Sequence, residues 1–149
     1  MADNFGLKIG VEGEKEFKKA LADINQSFKV LGSEMKLVSS QFDKNDKSVQ
    51  ALSARNNVLN KEIEAQRQKI DTLRSALQNA SDSFGETDRR TQSWQIQLNN
   101  AEAALNDMKR ELSDNNAALE EANSNYGRAE DALEDMDREM DDVTDSADD

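Results

Sequence analysis

Stepping forward from Phe17 alternately by four and three residues lands on an apolar side chain at 32 of 38 positions up to Ala147. The other 93 positions of that stretch hold only 15 apolar residues, 11 of them alanine, the larger ones being Val30, Leu37, Val58 and Ile96. A spacing that averages 3.5 residues lays its side chains along one narrow stripe of a helix. Kept in phase over nearly nineteen heptads, such a stripe predicts an all-α chain organised as a long heptad-repeat coiled coil. No stutter resets the frame, and proline, the usual interruption of a helix, is absent from all 149 residues.

The stripe comprises Phe17, Leu21, Ile24, Phe28, Leu31, Met35, Val38, Phe42, Val49, Leu52, Leu59, Ile63, Ile70, Leu73, Leu77 and Phe84. It runs on through Trp94, Leu98, Leu105, Met108, Leu112, Leu119, Tyr126, Leu133, Met136 and Met140, with Val143 and the alanines 80, 101, 122, 129 and 147 in the same frame. Two positions in seven make a stripe narrower than that of a helix sunk in a domain core. A lone extended helix would leave it in water. The stripe must therefore meet another, on a second chain or on a folded-back part of this one.

Six frame positions are polar: Asn45, Asn56, Gln66, Thr87, Thr91 and Asn115. Asn56, Gln66 and Asn115 lie in otherwise regular heptads, where buried amides either fix register and strand number or mark weak points. Asn45, Thr87 and Thr91 group with loops. Asn45 sits in the polar run Asp43-Lys44-Asn45-Asp46-Lys47-Ser48, with Ser48 placed to cap a following helix. Thr87 follows Gly85, which can end one helix, and precedes Asp88, which can cap the next.

These breaks, near 43–48 and 82–88, divide the chain into an extended N-terminal segment (1–13), helix one (14–42), helix two (48–81), helix three (88–143) and an acidic tail (144–149). The lead-in is expected to be strand-like, because Leu7, Ile9 and Val11 alternate with Lys8, Gly10 and Glu12. The breaks are either hinges of a rod or turns of a folded-back bundle. Frame continuity favours the rod, which would be ~195 Å long at ~1.5 Å per residue. Flanking positions do not select a partner by charge: in a parallel pairing Glu62 and Arg67 would attract while Lys69 and Arg74 would repel. Alanines beside the stripe widen its apolar face, which points to self-association in three or more copies.

Little chemistry is open to these residues. With neither Cys nor His, the chain has no disulfide, no thiol nucleophile, and neither the usual general base nor the commonest zinc ligand. Its acid pairs, Glu120-Glu121 and Asp141-Asp142 among them, lie on polar faces where nothing would raise a pKa. Asp43, Asn45 and Asp46 lack the glycine and the final glutamate of a calcium loop. Trp94 and Tyr126 both fall in the frame, as packing residues do. No catalytic residue, cofactor or metal is expected, and the chain reads as a structural protein rather than an enzyme. No apolar run approaches a membrane span, and the start has neither part of a signal peptide.

Formal net charge is −12, and residues 128–149 carry 11 acids against Arg128 and Arg138. That end reads as a solvated terminus or, alternatively, as a dock for a basic partner. Without a cluster of Lys and Arg, direct nucleic-acid binding is not expected.

The opening Leu7-Lys8-Ile9-Gly10-Val11-Glu12-Gly13-Glu14-Lys15-Glu16-Phe17-Lys18-Lys19-Ala20-Leu21 resembles the start of tail tape measure proteins from long-tailed phages and prophages of Gram-positive bacteria. Leu31-Gly32-Ser33-Glu34-Met35 and Trp94-Gln95-Ile96-Gln97-Leu98 are similar to recurrent phrases of that group, and the resemblance spans roughly residues 5–115. It implies an N-terminal part of a longer structural protein of the virion. Several copies of such a protein lie in the lumen of the phage tail, set tail length during assembly, and leave with or before the DNA on infection. The implied partners are the tail tube protein and the tail assembly chaperones, met in the host cytoplasm during assembly. Channel-forming and lytic roles of the family would lie outside these residues. The alternative from another class is a generic coiled-coil spacer or oligomerisation stalk of a cytoskeletal or chromosome-organising protein.

Overall fold

The computed structural model describes residues 10–148, with side chains described from Gly10 to Ser124. The described chain is three helices: α1 (Gly10–Gln41), α2 (Val49–Phe84) and α3 (Arg89–Asp148). Tyr126, Leu133, Met136 and Met140 therefore lie in α3, with their side chains outside the described part, and Leu7 and Ile9 lie outside the described residues.

Both breaks reverse the chain. Gly10 pairs with Asn79 and Asn25 with Lys69, so α1 runs antiparallel to α2. Asn56 pairs with Asn115 and Gln66 with Ala101, so α2 runs antiparallel to α3. The continuous rod favoured by frame continuity is corrected here to a folded-back arrangement. The physical reason is local: each break supplies enough hydrogen bonds to end one helix and start the next, and each returning helix offers its own stripe as the surface the last one needs. The 36 residues of α2 set the length of the paired part at about 54 Å.

In the first turn, Asp43 Oδ1 accepts the Asn45 N–H at 3.2 Å and Asp46 Oδ1 accepts the Ser48 N–H at 2.8 Å. Ser48, with extended backbone, caps α2 by accepting the Ala51 N–H at 3.2 Å. The Arg55 guanidinium reaches back and donates to the carbonyls of Asp43 and Asp46. In the second turn, Gly85 adopts φ 90°, ψ 158°, a region open to glycine almost alone. Asp88 then caps α3, its Oδ1 accepting the Arg90 N–H at 2.8 Å, while the Arg90 guanidinium lies 3.4 Å from the centre of the Phe84 ring.

Several placements differ from those read in the sequence, and α2 runs to Phe84 rather than ending at 81. Residues 10–13 are helical rather than extended. The Asn79 amide explains this: its Oδ1 accepts the Gly10 N–H and its Nδ2 donates to the Gly10 carbonyl, fastening the start of α1 to α2, while Val11 is left exposed. Thr91 belongs to the first turn of α3 rather than to a loop, buried and donating from Oγ1 to the Gly85 carbonyl at 2.7 Å. Nor does helix three stop at 143, since α3 continues to Asp148 without a separate tail from 144.

α2 is the central helix. Both neighbours pack against it, whereas among the described residues no Cα of α1 comes within 8 Å of one in α3. Near the second turn, Phe17, Leu21, Ile70, Leu73, Trp94 and Leu98 form one core drawn from all three helices. Towards the first turn, Leu31 packs with Val58 and Ala65, bordered by Phe28, Met35 and Val38, in a cluster of α1 and α2 alone.

Candidate functional site: the interhelical seam

The frame residues meet in the seam between the helices. Among the described side chains, every frame residue is at least partly withdrawn from water except Asn45 and Thr87, which sit in the two turns. Burial is deepest on the central helix: Leu52, Leu59, Ile63, Ile70 and Leu73 are all buried. On the outer helices Phe17, Leu21, Leu31, Trp94 and Leu98 are buried, but Ile24, Phe28, Met35, Val38, Phe42, Leu105, Met108, Leu112 and Leu119 are half-buried, as are Val49, Leu77 and Phe84 of α2. α1 and α3 each pack chiefly on α2, whereas α2 has a helix packed on either side. The larger apolar residues outside the frame divide: Val30, Leu37 and Ile96 are exposed, whereas Val58 is buried against α1.

The structure brings the polar frame residues together. Asn115 Nδ2 donates to Asn56 Oδ1 at 3.0 Å, and Asn56 Nδ2 donates to Asn116 Oδ1 at 3.0 Å. Gln66, buried, donates from Nε2 to the Ala101 carbonyl at 2.8 Å. A buried amide left without a partner costs about 1–3 kcal/mol, so these rungs penalise any sliding of α3 along α2. Lys69 and Arg74 are answered within the chain, by Asn25 at 3.3 Å and Glu102 at 3.0 Å. Such exposed contacts contribute little stability but agree with the same register.

Two features of the seam were not legible in the sequence. Glu14, three residues ahead of Phe17 and so on the face of the stripe, is buried and accepts from Trp94 Nε1 at 3.1 Å, a hydrogen bond between α1 and α3. Asn116 lies outside the frame yet completes the Asn56 rung. Sequence signals were thin for both: an acid one turn ahead of Phe17, and a doubled Asn at 115–116.

Glu62 has its carboxyl pushed above the usual range, chiefly by burial and then by the Glu111 carboxylate on α3. A raised carboxyl pKa adds stability that is complete below the unfolded value near 4.5 and is lost as pH rises through the folded value. Glu62→Gln is therefore expected to raise the urea midpoint at pH 7 relative to the parent chain, with the gain vanishing below pH 4.5. Asp46 and Asp88 act oppositely: hydrogen bonds from Ser48 and from Arg90 hold them below the usual range. What they contribute is present above about pH 3.8 and lost on acidification through their lowered values.

Among the described residues no three His, Cys, Asp or Glu side chains converge on a point where a metal ion would sit, and no helix is long and apolar enough to cross a membrane. What the arrangement provides is a helix-packing surface with internal register marks. No protein-family model matches the chain, no curated protein is recognisably similar to it, and no solved structure matches its fold.

Proposed function

We propose that this chain is a non-catalytic coiled-coil element, the N-terminal part of a tail tape measure protein, which works in several copies inside a phage tail tube. One observation carries the reading. α3 has 60 residues against the 36 of α2, and with Asn56 level with Asn115, α2 begins opposite roughly residue 123 of α3. α3 therefore continues past the paired part by about 36 Å at ~1.5 Å per residue, and the heptad frame continues with it in unbroken phase. A ruler needs extension proportional to residue number, and a single helix leaving a fixed head supplies it.

In this reading the folded-back part is the head, and only residues beyond it count towards length. The seam of the overhang is where copies associate, and the scarcity of basic residues there suits a lumen later used by DNA. Removing one heptad from the overhang in the full-length protein is expected to shorten tails by about 10 Å, at ~1.5 Å per residue. Removing matched heptads from α1, α2 and the paired part of α3 should leave tail length unchanged. Electron micrographs showing unchanged length after overhang deletions would remove the ruler role.

A coiled-coil spacer or stalk of a cytoskeletal or chromosome-organising protein is the second reading. It is favoured by the one feature a ruler does not require, the double reversal that closes much of the seam within one chain. Copurification with tail tube protein separates the two.

A further inference from the structure

We propose that a second copy of this chain is a partner for the α2–α3 hairpin, taken up by straightening the turn at Gly85–Asp88 and exchanging α3 between copies. Phe84 and Thr91, the frame positions flanking that turn, are seven residues apart, with Thr87 between them. A hairpin gains nothing from this spacing, because a reversal uncouples the rotational phase of its two helices. A helix running straight from α2 into α3 depends on it, since only then do both apolar stripes fall on one line.

The hairpin contacts Asn56–Asn115 and Gln66–Ala101 are arranged about a midpoint close to the turn itself. Two straightened helices laid antiparallel about that midpoint remake the same contacts between copies, so exchange sacrifices only the turn. α1 stays on its own α2, and its Glu14 meets Trp94 of the second copy. At the crossing, Asp82 of one copy comes level with Arg90 of the other, opposite in charge. This exchange goes beyond the role proposed above and stands whether or not the chain measures a tail.

Among the residues that form this turn, Gly85 is the one whose backbone a single substitution penalises directly. A Cβ built on Gly85 would meet nothing within 4 Å, yet its φ of +90° is one that side-chain-bearing residues avoid. Gly85→Ala thus penalises the turn through backbone conformation alone and favours the straight helix.

The chain has no cysteine among its residues, so Arg74→Cys with Glu102→Cys places nitroxide labels at two positions that face each other across the hairpin. In the parent chain the short interlabel distance should survive dilution with unlabelled protein. Gly85→Ala should dimerise about tenfold or more tightly, in keeping with the cost of holding a non-glycine residue in this region, and its short distance should fade on dilution because it now joins two copies. Inserting two glycines after Gly85 keeps a turn but breaks the phase, and should leave the chain monomeric.

A monomeric Gly85→Ala, a dimer whose short distance resists dilution, or an insertion variant that dimerises equally well would each overturn the proposal. Should Gly85→Ala lose its helical circular dichroism, the parent chain at rising concentration decides. A dimer with a dilution-sensitive short distance supports exchange; no dimer, or one with an insensitive distance, overturns it.

Discussion

Trp94→Ala is expected to lower the unfolding free energy by about 3–5 kcal/mol, the largest loss from any single side chain here. Trp94 is 2% exposed and packs in the core shared by all three helices, so truncation leaves a cavity where α1, α2 and α3 meet. Its indole N–H is also the donor to buried Glu14, and removing it strands a carboxylate away from water. Trp94→Phe keeps most of the packing and loses only the donor, so it should cost about 1–3 kcal/mol. Urea titrations followed by circular dichroism measure both. A double cycle of Trp94→Phe with Glu14→Gln isolates the bond itself. If Trp94→Ala unfolds within 1 kcal/mol of the parent, as a surface change would, the three-helix core does not exist in solution.

Leu73→Ala is the second large effect, about 2–5 kcal/mol and towards the upper end. Leu73 is fully buried at 0% exposure, on the helix with a neighbour on both sides, where surrounding side chains have least room to collapse into a void. Ile96→Ala is its control: Ile96 is similarly apolar but 60% exposed and outside the frame, so its loss should stay within about 0.5 kcal/mol. Equal effects at the two positions would mean that the frame does not mark the interior.

Local chemistry was legible in the sequence to the residue. Ser48, Gly85 and Asp88 do in the structure what their types suggest, because capping and positive φ are decided within a few residues of chain. Direction was not. The same stripe serves a straight rod and a folded bundle equally well, since both satisfy it by placing another stripe alongside. The choice rests on whether Asp43–Ser48 and Gly85–Asp88 are more stable as turns or as helix, a difference of a few hydrogen bonds that periodicity does not encode. The lead-in misled for a related reason. Alternation at Leu7, Ile9 and Val11 says strand only if a sheet awaits it, and what awaits Gly10 is the amide of Asn79. Glu14 was hidden because its burial depends on a tryptophan 80 residues away.

An odd number of reversing helices sends the two ends of the module out in opposite directions. α1 starts beside the second turn, at Gly10 against Asn79, and α3 runs on beyond the first. Tension applied through those ends therefore runs along the helix axes and loads the interhelical rungs in shear, all at once, rather than prising them apart one by one. Resistance to such a pull is governed by the rate of unfolding. The Asn56 and Gln66 rungs must break together before α3 can slip.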